Sequence, residues 1–173
     1  MRRWLPWALG IALGAALVHV GAVALLPRAI MRGVFAGFAA RGPPNQFVHP
    51  PLATHETRAV VRPSPDLAYS AVLFDVGEHP LRVIVPLSAP YTSLSGFATN
   101  TDNFFALNDQ TAGADPIDVV IVGPSTKRAG LAGLRLIESP SDRGVLLVRR
   151  VVPSAEAFPV IDAIRQRARV ETR

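Results

Sequence analysis

Hydrophobic positions divide the chain into three regimes. From Trp4 to Leu26 they run on without a single charge. From Pro27 to Arg41 they recur at helical spacing through Ile30, Met31, Val34, Phe35 and Phe38, while Arg28 and Arg32 stand four apart on another face. Beyond residue 57 they fall into short runs, several of them alternating with polar residues. The first regime predicts a transmembrane helix over residues 4–26, just after a basic N-terminus at residues 1–3. Its 23 residues, rising about 1.5 Å each, cover roughly 34 Å, enough to cross a hydrocarbon core of about 30 Å with some tilt. The second predicts a juxtamembrane amphipathic helix over 27–41, with its phenylalanines at the acyl boundary and its arginines on anionic headgroups; the plainer alternative is that the first helix continues into water. Residues 42–56 hold four prolines and no hydrophobic period, and read as an extended tether.

The third regime, residues 57–173, predicts a single domain dominated by short strands. Ala59 to Arg62 is one candidate. Leu67 to Val76 alternates through strong β-formers, Gly77-Glu78-His79-Pro80 reads as a turn, and Leu81 to Val85 returns as the second arm of a hairpin. Tyr91 to Ala98 and Asn103 to Leu107 make a second pair around Thr99-Asn100-Thr101-Asp102. Ile117 to Val122, Leu134 to Ile137 and Val145 to Val151 complete the set, the last two separated by the turn cluster Ser139-Pro140-Ser141-Asp142-Arg143-Gly144. No helical crossovers intervene, so the fold class is α+β and mainly antiparallel β, a sandwich or barrel-like sheet. One helix is expected, from Ser154 to Ala168. Ser154 caps it, Phe158, Ile161, Ile164 and Ala168 form its apolar stripe, and Arg165, Arg167 and Arg169 gather where the helix dipole favours cations; Pro159 moves its regular part toward Phe158.

Charge sharpens the first regime. Arg2, Arg3, Arg28, Arg32 and Arg41 account for the whole net charge of +5, because the rest of the chain balances 13 basic against 13 acidic residues. The excess sits beside the apolar run, and the globular part has no net field with which to gather phosphates, which argues against nucleic-acid binding. Trp4 and Trp7 suit the headgroup layer, and Arg28 and Arg32 flank the other end. Gly10 and Gly14 have the spacing that lets two such helices approach, which makes a homodimer a candidate assembly. His19 lies inside the run without a second polar residue. A cleaved signal peptide is the rival reading, since Ala22-Val23-Ala24 has the small-x-small form; the apolar run is longer than a typical h-region. A short basic start followed at once by an apolar run reads as an uncleaved anchor. It places the protein in a bacterial inner membrane, single-pass, with the domain in the periplasm, although the arginines after the span argue for the opposite orientation by simple count.

Several segments, taken in order, carry a resemblance. Pro65-Asp66-Leu67-Ala68-Tyr69-Ser70, Phe74-Asp75-Val76, Val83-Ile84-Val85-Pro86, Ile121-Val122-Gly123-Pro124, Ser139-Pro140-Ser141 and Leu147-Val148-Arg149-Arg150 are similar to the bacterial domain-of-unknown-function family 1254, across nearly all of residues 60–170. The resemblance implies a largely β domain and, in longer relatives, a following second domain of family 1214. The chain resembles short membrane-anchored members, whose partner domain is expected to come from a separate protein. It departs from many relatives at Ser64-Pro65-Asp66, where they carry an Asn-rich sequence. No established reaction comes with the family.

Residue types give little chemistry. Without cysteine there is no thiolate nucleophile or zinc–thiolate site, and no cofactor motif is present. His49, His55 and Glu56 lie in the tether, where solvated side chains are the plainer reading than a zinc site. Asp102, Asn103, Asn108, Asp109, Asp115 and Asp118 are rich in oxygen but lack the spacing of a calcium loop; turn chemistry accounts for most of them. Ser70, His79 and Asp75 compose a triad only on paper, since no nucleophile elbow frames the serine. Gly130-Leu131-Ala132-Gly133 lacks the lysine of a phosphate loop. The leading expectation is a non-catalytic interaction domain held at the lipid bilayer, docking a partner through a sheet edge or the C-terminal helix. Two others stand beside it: a module for a lipid or small apolar ligand walled by Phe97, Phe104 and Phe105, and an enzyme centred on Asp66, Tyr69 and Asp102 that a partner domain completes.

Overall fold

Strand alternation resolves into two packed layers. The computed structural model describes residues 3–40, 42–57, 63–113 and 116–173. Among these, β1 (Phe47–Val48), β2 (Leu67–Asp75), β8 (Arg143–Val151), β4 (Thr92–Ala98) and β5 (Asn103–Asn108) lie in that order in a five-stranded sheet. A four-stranded sheet holds β7 (Leu136–Glu138), β6 (Ile117–Val122), β3 (Leu81–Val85) and β9 (Arg169–Thr172). Inward positions of the first sheet, Val72, Phe74, Leu94, Leu107, Leu146 and Val148, pack on Leu81, Val83, Val85, Ile117, Val119 and Ile121 of the second. Each such side chain contributes on the order of 1.5–3 kcal/mol when fully buried, which fixes the register as well as the layering. The candidate strand at Ala59–Arg62 lies outside the described residues.

The predicted hairpin of β2 with β3 does not form. β2 pairs with β8 and β1, while β3 pairs with β6 and β9, so residues 76–80 carry the chain from one sheet to the other. A local pattern fixes which face of a strand is apolar, but a partner is chosen by packing that only the folded chain provides. The crossing is knitted by side chains from later in the sequence. Val76 N–H donates to the Asp142 carbonyl, Thr126 Oγ1 donates to the Val76 carbonyl, and the Asp142 carboxylate accepts from Ser125 N–H. The pair β4–β5 forms as expected, with a bulge at Gly96/Phe97. One ladder is parallel, β6 with β7, joined by a loop from which Leu131 and Leu134 cover the outward side chains Val120 and Val122.

The C-terminal element is shorter than expected. A 3₁₀ turn at Ala155–Ala157 leads into α2 (Phe158–Arg165), which stops short of the expected end at Ala168. Residues 169–172, where the sequence pattern predicts no strand, form the edge strand β9. Ser154 makes no capping bond to a backbone N–H. Its hydroxyl instead bonds the Glu156 carboxylate, holding that group's pKa below its usual value. α2 seats Ile161 and Phe158 against Ala68 and Val152 and so closes one end of the sandwich.

Before the domain, α1 (Leu5–Ala39) is one continuous helix, so the predicted span and juxtamembrane segment are successive parts of it. Its apolar stretch has a mean hydropathy of 2.3, is long enough to cross a membrane, and has none of its residues buried within the protein. Pro27 lies inside the helix and denies it one N–H; one turn back, the Ala24 carbonyl accepts from the Arg28 guanidinium at 2.5 Å. Trp4 and Trp7 are exposed, and Met31 on the expected amphipathic stripe is buried.

Candidate functional site

Two consecutive arginines end the apolar run of β8. Neighbouring strand residues point to opposite faces, so one of Arg149 and Arg150 has to enter the space between the sheets. Register sends Arg150 inward, in a row with Ala68 of β2 and Thr92 of β4. Its side chain is 0% exposed. Nη2 donates to the Pro86 carbonyl at 2.9 Å, whereas Nε and Nη1 are buried with no acceptor. Burial, reinforced by repulsion from Arg165, pushes the Arg150 pKa down to about 10.

Arg165 reaches the same region from α2. The residues expected to form that helix's core stripe include Phe158 and Ile161, and Arg165 falls seven and four positions after them, on the same face. It is 3% exposed, donates from Nε to Asp162 Oδ1 at 2.7 Å, and donates from Nη1 to the carbonyls of Pro50 at 2.8 Å and Tyr69 at 2.9 Å. Its guanidinium also lies over the Phe158 ring, 5.6 Å from the centroid. Arg165 is therefore a fully engaged clasp between α2, β2 and the segment after β1, and not a solvated cation at a helix end. Part of the stretch expected as an extended tether is thus built into the domain, with β1 in the sheet and Asn45 bonded to Asp75.

His49 completes the rim. It stacks on Phe47, and its Nδ1 lies 2.8 Å from Ser70 Oγ. Burial lowers its pKa, the positive charges of Arg165 and Arg150 lower it further, and Asp162 opposes them. The imidazole is accordingly neutral at pH 7. Ser70 is 0% exposed in the middle of β2 and Asp75 is taken up by Arg143, so this serine–histidine contact is a structural hydrogen bond and no triad forms. Because the folded state resists protonating His49, stability is full above pH 6.5 and is expected to fall as pH drops from 6.5 through the lowered folded value. Urea midpoints at pH 7 and pH 5 check this: His49→Asn should flatten the difference.

The residues singled out from sequence are dispersed. Asp66 is exposed at the start of β2, with its carbonyl accepting from Val152 N–H, and the Tyr69 hydroxyl accepts from Ser64 N–H at 3.1 Å. Asp102 sits at the tip of the β4–β5 hairpin, accepting from Asn100 Nδ2 at 2.5 Å. The register puts it at the opposite end of the sheet, on the order of 20 Å away along the strands. Ser70 and Asp75 lie at different levels of β2, and Asp75 pairs with Arg143 at 2.7 Å. Phe104 packs edge-on to Phe74, with ring centroids 6.1 Å apart, and Phe105 lies against Phe104 at 5.1 Å. Together these two rings close over Gly96, filling the space that a ligand between them would need, while Phe97 is half-buried beside it. Asn108 is spent on its own turn through Gln110 N–H and Thr111 N–H, and Asp118 is held by Arg82 with its pKa lowered by that hydrogen bond. Among the described residues no three His, Asp or Glu side chains come together as a metal site.

A two-sheet β domain closed at one end by a short helix, with two buried arginines beneath it, is the class of molecule defined so far. Over residues 44–172 the chain matches the family described as "Protein of unknown function (DUF1254)", and it belongs to that family. Comparison with curated proteins gives no match. Among solved structures, the chain is similar to the VPA0106 protein from Vibrio parahaemolyticus, at 15% identity and a TM-score of 0.66, with 84% of this chain and 35% of that one covered. It is also similar to a putative uncharacterized protein from Burkholderia cenocepacia, at 19% identity and a TM-score of 0.51, covering 90% of this chain and 42% of that one. Both likenesses concern the fold. The chain spans between about a third and two fifths of the length of these structures.

Proposed function

We propose that this protein is a membrane-tethered interaction domain of the bacterial cell envelope. In this reading α1 crosses the inner membrane once, the β domain stands in the periplasm, and it works with a separately encoded protein that carries the family-1214 domain. The observation that carries the reading is the apolar stretch of α1, which is long enough to span a bilayer and has no residue buried against the domain it precedes. The partner half of the reading draws on the family resemblance. A docking face is available on the outer side of α2, where Pro159, Val160, Ala163, Ile164 and Arg167 line a shallow groove and Val160 is 67% exposed. Confinement of both proteins to one surface raises their effective concentration, so even a weak groove suffices.

A photo-crosslinker at Val160 in intact membranes tests the reading. It should trap a second envelope protein whose peptides identify a family-1214 domain. An adduct at twice the protomer mass would replace that partner with a homodimer, and no adduct at all would remove the docking face. A reporter fused after Arg173 should behave as periplasmic; a cytoplasmic signal would overturn the orientation.

A further inference from the structure

We propose that the end of the sandwich beneath α2 is a binding site for a small carboxylate, with Arg150 as its anchor. A guanidinium that is 0% exposed and leaves Nε and Nη1 without acceptors is an expensive group to fold around, and the protein's own carboxylates do not relieve it. Asp162 is committed to Arg165. Asp109 lies in the same cross-strand row beyond Thr92, and its own buried Oδ1 has no donor, so the two unpartnered groups do not serve each other. The remaining polar neighbours are neutral: Thr92, fully buried, bonds Ser88 at 3.1 Å, and His49 is held deprotonated. Arg165 is already paired with Asp162, which leaves Arg150 as the cation without a counter-ion. A monoanion neutralises it, whereas a dianion would leave a buried excess of negative charge. Small size follows from the covering. The protein's own atoms enclose Arg150 on every side, so a side chain fixed to a macromolecular partner could not reach it with the covering in place. His49 is the half-buried neighbour whose movement would admit the ion. This inference is independent of the envelope partner proposed above, and either can fail alone.

Sodium acetate is the probe, with sodium chloride at equal ionic strength as the control, on the full chain in detergent. Acetate is expected to raise the melting temperature saturably, to broaden its own carbon-13 signal in the presence of protein, and to shift the His49 ring titration upward as the bound negative charge offsets Arg150 and Arg165. Arg150→Met, which keeps length and apolar bulk, should fold and lose all three effects. Arg150→Lys should keep a weakened one. If acetate and chloride act alike on the parent in both melting and carbon-13 line width, the proposal fails whatever the variants do. It also fails if Arg150→Met folds and responds to acetate as the parent does.

Discussion

Arg165→Ala is expected to destabilise the domain by about 2–4 kcal/mol, mainly from orphaning carbonyl acceptors at about 1–3 kcal/mol each, with a smaller share from Asp162, which is only partly buried. The carbonyls of Pro50 and Tyr69 each lose a donor, Asp162 loses its counter-charge, and Phe158 loses the cation above its ring. Relief of the repulsion on Arg150 offsets a minor part, since burial and not Arg165 is the larger cause of that group's depressed pKa. The damage should be local first. α2 is the element clasped, so hydrogen exchange along Phe158–Arg165 should accelerate before the strand amides respond. Urea unfolding of Arg165→Ala beside Arg150→Met separates the two arginines. The first should be severely destabilised and the second near the parent, because Arg165 is fully bonded and Arg150 is not. Equal losses would mean that Arg150 is structural too.

Gly144→Ala should cost about 3 kcal/mol or more, enough to leave the domain largely unfolded at 37 °C if its stability is ordinary. A Cβ at residue 144 would stand 2.3 Å from the Phe97 carbonyl oxygen and 2.4 Å from the Phe74 ring. The first of these is backbone in the adjacent strand β4, and it cannot move without opening the β4–β8 ladder at Ala98↔Gly144. Gly96 provides the comparison. Its added Cβ would meet the Phe105 and Phe104 rings at 2.3 and 2.7 Å, but these are the ends of side chains on the edge strand β5, which can turn outward. Gly96→Ala should therefore cost less, about 1–2 kcal/mol. Thermal or urea denaturation of the pair gives the order directly. A reversed order would mean that β4 and β8 are not held as tightly as their pairing implies.

Much of the architecture was legible because it rests on local periodicity. The charge-free run became the apolar part of α1, and alternation marked β2, β3, β4, β5, β6 and β8 to within a few residues, because the face a strand buries is written in its own side chains. Pro159 located the start of α2 at Phe158 for an equally local reason, its missing N–H and fixed φ. Partner choice was not legible. The turn at residues 77–80 is compatible with a hairpin, and only the competition of β8 for β2 and of β6 for β3 sends the chain across the sandwich instead. The edge strand β9 was hidden in the same way, since four residues with two charges form a strand because β3 offers an open edge and Arg82 is placed to meet Glu171.

The candidate site divides along the same line. That one of Arg149 and Arg150 faces inward follows from alternation alone, and that Arg165 shares a face with Ile161 follows from helical spacing; both signals were present in the sequence, obscured by the habit of placing arginines in solvent. Which arginine would be buried, and that a helix residue, a strand residue and the histidine after β1 would converge, depended on register and on the closure of α2 over the sandwich end. By itself the sequence determined the long apolar helix, the strands and the absence of cysteine chemistry, because each is a property of neighbouring residues or of composition. The tertiary structure alone decided that Arg165 is satisfied and Arg150 is not, because hydrogen-bond partners 64 to 115 residues away in the chain are supplied only when it folds.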